Sequence, residues 1–251
     1  MQLAVGARSD VGMIRSGNED NFFAESDERR GVFVVADGMG GHAAGEVASE
    51  MAVQIVSRQL MQIQTVLAED AGQRVAQSLK DANRAIYERM LAEVDKQGMG
   101  TTVSVLMLSD DQFLIGQVGD SRVYLLRDGA LRQVTKDHSY VQEQVDAGLL
   151  TPEQARYHPY SNVITRCCGA NESVEADVYR GAVLPGDVFL VASDGLTGMV
   201  DDRRLQQLLL ARSGPSRVVD ALIAEANGRG GLDNITAIVV QVGMVDASQN
   251  D

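Results

Sequence analysis

The chain of 251 residues contains no tryptophan, only four prolines, three histidines and two cysteines. The cysteines are neighbours, Cys167 and Cys168. A vicinal pair is a poor structural cross-link, so a reducing compartment is the simpler expectation. Neither is followed six positions later by the arginine of a cysteine phosphatase loop, since Ser173 and Val174 stand there. No glycine-lysine phosphate loop occurs, which argues against that type of NTPase. No proline-rich linker, repeat or low-complexity tract divides the chain. No apolar run has the length of a membrane span, and Met1-Gln2-Leu3-Ala4-Val5 lacks a basic-then-apolar signal pattern. These absences predict a cytoplasmic protein with no membrane segment. Basic residues are also in deficit, 22 against 35 acids, for a net charge of −13. Such a surface repels nucleic acid and anionic membranes, and would repel a phosphorylated substrate unless cations sit at its site.

What is present is a set of four aspartates in glycine-flanked turns: Asp37, Asp120, Asp194 and Asp233. Three follow apolar runs that read as strands, Val32–Ala36, Phe113–Val118 and Val188–Ala192. The fourth precedes another, Ile235–Val242. Carboxylates at strand ends, beside glycines that admit close backbone approach, suit hard cations. Four segments converging on one pocket would support metal-assisted hydrolysis.

The patterning predicts amphipathic, core-facing helices over Ala43–Leu60 and Gln73–Val94, the first with Val47, Met51, Leu60 and either Val53 or Ile55 inward. A meander follows: Thr101–Leu108, Phe113–Val118, Arg122–Arg127 and Ala130–Val134, with Asp110-Asp111 and Asp128-Gly129 at turns. A helical interlude covers Tyr140–Tyr157, where Thr151-Pro152-Glu153-Gln154 reads as a capping box. Helices over Asp202–Arg212 and Pro215–Asn227 precede the last strand, with Gly228 as a stop. Hairpin-ordered strands with grouped helices favour an α+β layered fold.

Two further segments carry chemistry. Arg15-Ser16-Gly17-Asn18-Glu19-Asp20 lies between two predicted strands and offers one guanidinium, the side chain best shaped to grip a phosphate, beside two acids. In Asp37-Gly38-Met39-Gly40-Gly41-His42, three glycines within four residues enforce a backbone path into a helix. The Gly38 carbonyl could itself ligate a cation. His42 could protonate a leaving alkoxide near neutral pH, or serve only as a helix-start hydrogen bonder. His138 has no ligand-spaced partner and reads as a structural hydrogen bonder.

These motifs occur in a fixed order: Arg-x-x-Asn-Glu-Asp, Val-Ala-Asp-Gly-Met-Gly-Gly-His, Met-Gly-Thr-Thr, Val-Gly-Asp-Ser-Arg, Thr-x-Asp-His, Ser-Asp-Gly-Leu and Gly-x-Asp-Asn-x-Thr. The chain thereby resembles the PP2C-type, metal-dependent serine/threonine protein phosphatases in their compact bacterial form, from about Leu3 to Val242. The resemblance implies a four-layer αββα sandwich of two mainly antiparallel sheets flanked by helix pairs. It implies one catalytic domain over 1–244, with a flap at about 139–168 and a short tail, 245–251. It implies two core Mn²⁺ or Mg²⁺ ions. Asp37 would bridge them, the Gly38 carbonyl would bind one with Asp20 and Glu19 acting through water, and Asp194 and Asp233 would hold the other. Asp120, with Asp194, would make a third, weaker site. Arg15 would hold the substrate phosphate, and His42 would be the general acid. Met99-Gly100-Thr101-Thr102 and Asn234 would shape the site. The activity implied is hydrolysis of phosphoserine and phosphothreonine in proteins by a metal-bridged hydroxide, by a monomer in bacterial signalling. A kinase or its substrates would be the partners. The competing reading is a binding module of the same fold without turnover. Cys167-Cys168-Gly169, where relatives carry a small and an apolar residue, departs from the pattern and would add oxidation sensitivity.

Overall fold

The computed structural model describes residues 1–40, 43–211 and 213–243. His42, Arg212 and the predicted tail lie outside the described residues. The strands are β1 (Leu3–Asp10), β2 (Asp20–Ser26), β3 (Arg30–Met39), β4 (Gly100–Thr101), β5 (Val103–Ser109), β6 (Gln112–Val118), β7 (Arg122–Arg127), β8 (Ala130–Gln133), β9 (Asp177–Ala182), β10 (Val188–Ala192) and β11 (Ile235–Val242). The helices are α1 (Ala43–Leu60), α2 (Ala71–Ala92), α3 (Tyr140–Asp146), α4 (Pro152–Arg156), α5 (Asp194–Thr197), α6 (Asp202–Leu209) and α7 (Pro215–Gly228). One sheet runs β2-β3-β5-β6-β9, with β4 paired to the end of β3; the other runs β1-β11-β10-β7-β8. Every pairing among the described strands is antiparallel.

The layering follows from strand alternation. On β3, Val32, Val34 and Ala36 pack with Val75, Leu79 and Ile86 of α2 and with the inner face of α1. Phe33 and Val35, on the opposite face, meet Phe189 and Val191 of β10 and Ile238 and Val240 of β11 between the sheets. Beyond the second sheet, Leu190 and Val239 pack against Leu205 of α6 and Leu222 of α7. The result is the expected αββα sandwich. Central strands with both faces covered must be apolar throughout, which is why they read as runs.

Several boundaries differ from expectation. The inward stripe of α1 is Ala44, Ala48, Ala52, Val56 and Leu60, with Val53 beside it, while Val47, Met51 and Ile55 are only partly buried along its flank. Small residues let the helix axis approach the sheet, a preference that side-chain size alone conceals. The predicted strand Thr101–Leu108 is broken at Thr102, because β4 pairs with Gly38 and Met39 before β5 pairs with the body of β3. The Tyr140–Tyr157 interlude is two short helices, and the capping box is present: Thr151 N–H donates to Gln154 Oε1 at 2.8 Å and Gln154 N–H to Thr151 Oγ1 at 3.2 Å. Strand β9 had no sequence expectation. It is an edge strand of alternating exposure, whose run of apolar residues is broken by Arg180 and Gly181.

Candidate metal centre

The acids gather at one end of the sandwich. Asp20 opens β2 and is paired in register with Asp37 near the end of β3. Asp120 follows β6, Asp194 follows β10 as the first residue of α5, and Asp233 precedes β11. Strand β3 runs on through Asp37, Gly38 and Met39, so Asp37 is held within a sheet rather than on a free turn. Its backbone is pinned by the Met-Gly-Thr-Thr segment: Asp37 N–H donates to Thr102 Oγ1 at 3.0 Å, and Thr102 N–H and Thr101 Oγ1 each donate to the Asp37 carbonyl at 2.9 Å. Gly38 is obligatory, because a Cβ there would press into the Gly45 carbonyl of α1 and come within 2.6 Å of the Glu19 carbonyl.

Buried polar side chains place the remaining acids. Asp20 Oδ2 accepts from Ser193 Oγ at 2.8 Å and Thr236 Oγ1 at 2.6 Å. Those two residues lie inside the Ser-Asp-Gly-Leu and Gly-x-Asp-Asn-x-Thr motifs, beside the acids that mark those motifs. The turn carrying Asp120 is held by Gln117, whose Nε2 donates to the carbonyls of Gly119 at 2.9 Å and Ser121 at 2.6 Å. Thr102 Oγ1 also meets Ser121 Oγ at 2.7 Å, tying this turn to the Asp37 strand. Gly119 adopts φ +103°, and a Cβ would strike the Thr102 side chain.

Asn234 connects the Arg15 loop to the centre. Its Nδ2 donates to the carbonyls of Val11 and Gly17, both at 2.9 Å, and its Oδ1 accepts from Glu19 N–H at 2.8 Å. Asn234→Ala strands three backbone groups, so we expect a loss of about 3 kcal/mol in stability and greater protease sensitivity across 11–19. Urea melts with unchanged m-value would check this.

Electrostatically the centre is a set of like charges. Burial, then neighbouring Asp20, Asp194 and Asp120, hold the Asp37 carboxyl well above the ordinary range. Asp120 is raised strongly by burial, then by Asp194 and Asp137. Asp194 is raised by burial and by Asp233, against a hydrogen bond from Asp37. Burial pushes Asp20 up to about 7 against the hydroxyls of Thr236 and Ser193, with Asp194 and Asp233 adding to the rise. Asp20 Oδ1 and Asp120 Oδ1 are buried with no hydrogen-bond partner. Nearby Arg122 is committed to Asp137, with contacts of 2.7 to 3.0 Å. Arg15 donates to Asp233 Oδ2 at 2.7 Å. The phosphate-binding candidate and one expected metal ligand therefore pair with each other.

Among the described residues, no three Asp, Glu, His or Cys side chains close around a common point at ligating range. Asp233 faces Arg15 and Asp20 faces two hydroxyls, which separates acids that would otherwise repel. The donor set nevertheless fits hard divalent cations: all-oxygen, strongly anionic, and with two buried oxygens lacking any donor.

The chain belongs to the protein phosphatase 2C family, whose model matches residues 14–222. It is 39% identical over 236 residues to the serine/threonine phosphatase stp of Listeria innocua, covering 93% of this chain and 94% of that protein. Among solved structures, Stp1 from Staphylococcus aureus superposes with a TM-score of 0.91 at 31% identity, over 97% of this chain and 96% of that one. The catalytic domain of the phosphatase PstP, solved with two manganese ions, gives a TM-score of 0.85 at 35% identity, over 96% of this chain and 99% of that one.

Proposed function

We propose that this protein hydrolyses phosphoserine and phosphothreonine in proteins, using two Mn²⁺ or Mg²⁺ ions and a third, weaker one, in bacterial signalling directed at a kinase or its substrates. The observation that carries this reading is the cluster of Asp20, Asp37, Asp120 and Asp194 at one sandwich end, buried or half-buried and all raised in pKa, in a chain of this family. Asp37 and the Gly38 carbonyl would hold the cation pair with Asp194 and Asp233, Asp20 and Glu19 would act through water, and Asp120 with Asp194 would hold the third. Bound cations would neutralise the acids, polarise the phosphoryl oxygens and activate water for in-line attack. The ends of β3 and β10 would hold Asp37 and Asp194 in place for that chemistry. Arg15, half exposed at the rim, would turn from Asp233 to the substrate phosphate, while the 139–168 segment would flank the cleft as a flap. His42, outside the described residues, would protonate the departing seryl or threonyl oxygen. Phosphate release from a phosphothreonine peptide tests the reading. It should require Mn²⁺ or Mg²⁺, stop with EDTA and return on adding metal. A properly folded protein without metal-supported release would instead be the non-catalytic binding module.

Arg15→Ala should act in two directions. KM for a phosphopeptide should rise by about tenfold or more, with a smaller fall in kcat, because the guanidinium contacts phosphate in ground and transition states alike. Mn²⁺ should bind more tightly in the absence of substrate, because Asp233 loses its competing ion pair. Steady-state kinetics and calorimetric titration would measure the two effects.

A further inference from the structure

The loop between β1 and β2 presents apolar side chains to solvent. Met13 is 65% exposed and Ile14 67%, the only two consecutive large apolar residues so exposed among the described residues. Val11, 37% exposed, precedes them, and Leu232, 56% exposed, stands on the neighbouring loop before β11. The display is fixed at the level of the backbone. Met13 N–H donates to the Gly231 carbonyl at 2.8 Å, and Asn234 Nδ2 donates to the Val11 carbonyl at 2.9 Å. Gly12 turns at φ +80°, where a Cβ would strike the Asp233 carbonyl. Gly231 turns at φ +49°, where a Cβ would come within 2.8 Å of Met13 Cγ. Two glycines thus let the loops close on each other. The charges beside them are already paired. Arg8 donates to Asp10 at 3.1 Å and to Asp220 at 3.0 Å, and Asp10 also accepts from Gly12 N–H and Asn227 Nδ2, each at 3.1 Å. What the two loops offer a partner is therefore apolar surface. Each loop runs directly into the candidate site: Arg15 follows Ile14, Asp233 follows Leu232, and Arg15 pairs with Asp233 at 2.7 Å.

We propose that Met13, Ile14 and Leu232, flanked by Val11, dock the phosphoprotein substrate through a bulky apolar side chain close in sequence to its phosphorylated serine or threonine. The proposal rests on the phosphatase reading, with Arg15 at the substrate phosphate. With the phosphate held there, the peptide on one side of it must cross the surface beside Arg15. An extended peptide advances about 3.3 Å per residue, so that surface meets side chains about one to three positions from the phosphorylated one. A leucine, isoleucine, methionine or phenylalanine at such a position would leave water together with Ile14 and Leu232. The phosphate is common to all substrates, so the apolar contact would supply preference among them. Met13, unbranched and adaptable, would tolerate more than one apolar shape. The contact is remote from the reacting bonds and equal in ground and transition states, so it should act on KM rather than kcat.

Kinetics of the Mn²⁺-loaded full chain on paired phosphothreonine peptides test this. A reference peptide carries alanine on both sides of the phosphothreonine, and each test peptide replaces one alanine by leucine. At least one leucine position should raise kcat/KM by about tenfold over the reference, through a lower KM. Ile14→Ser should bring that ratio close to one. Leu232→Ser, on the other loop, should lower it as well, and serves alone if Ile14→Ser does not fold. The ratio compares two substrates on one preparation, so a general loss of activity or metal cancels. A wild type that dephosphorylates the peptides without preference for leucine would overturn the proposal, as would a preference that survives both substitutions. Sedimentation at the assay concentration separates the other occupant. A wild-type dimer that Ile14→Ser returns to monomer would mean that a second copy of the chain covers this surface, and would overturn the proposal. Release of phosphate from none of the peptides with Mn²⁺ would instead overturn the phosphatase reading, and the proposal with it.

Discussion

Asp37→Asn should lower kcat/KM on a phosphothreonine peptide by on the order of 10³-fold at saturating Mn²⁺, while the metal-free protein melts at the same temperature or higher. The two effects have one cause. Asp37 stands among Asp20, Asp194 and Asp120, and burial together with their charges raises its pKa. An isosteric amide is neutral without taking up a proton, so the cation-free fold no longer holds an acid whose ionisation its burial and its neighbours oppose. The same change removes the anionic oxygens expected to bridge two cations. Threonine contacts at the Asp37 backbone do not depend on the side chain, so β3 should keep its path. Parallel melts and kinetics on one preparation would check both halves. Activity above a tenth of wild type, or a large fall in the metal-free melting temperature, would count against Asp37 as bridging ligand.

His42→Ala should cut kcat on a phosphothreonine peptide by ~10²-fold with little change in KM, if His42 is the proton donor. The leaving group supplies the control. A threonyl alkoxide is a poor leaving group without a proton, whereas an aryl phosphate with a strongly acidic phenol departs unaided. The aryl substrate should therefore lose far less activity. Equal losses on the two substrates would mean that the imidazole orients water or cations and donates no proton.

The sequence disclosed the acids but not their scaffold. Asp37, Asp120, Asp194 and Asp233 could be read because each has glycine close by in sequence and stands at the end, or for Asp233 just before the start, of an apolar run, a local signal. The groups that place them are not local. Ser193 and Thr236 hold Asp20 from 173 and 216 positions away, and Asn234 reaches Gly17 across 217. Such residues look like ordinary small polar residues until the sheets bring them together. The fold shows the same division. Strands buried on both faces announced themselves as apolar runs, and Thr151-Pro152-Glu153-Gln154 gave its helix start through a mechanism three residues long. On α1, Leu60 and Val53 face the core as expected, but alanines rather than Val47 and Met51 fill the rest of the stripe, and the edge strand β9 left no run to read. The pairing of Arg15 with Asp233 had no sequence signal, since it joins two exposed loops.

The central claim is that the buried acids form a cation site whose charge is unfavourable until cations bind. Melting temperature with and without Mn²⁺, measured from about pH 5 to about pH 8, tests it most directly. Asp37, Asp120, Asp194 and Asp20 all have folded-state pKa values raised above the unfolded carboxylate, with Asp20 at about 7. Acids raised in this way favour the fold fully at low pH, and that contribution is lost as pH rises through their folded-state values. The metal-free protein should therefore lose stability over this range. Mn²⁺ binds the ionised acids and displaces their protons, so the Mn²⁺-induced gain should grow with pH. A gain that is absent, or that shrinks as pH rises, would contradict the account.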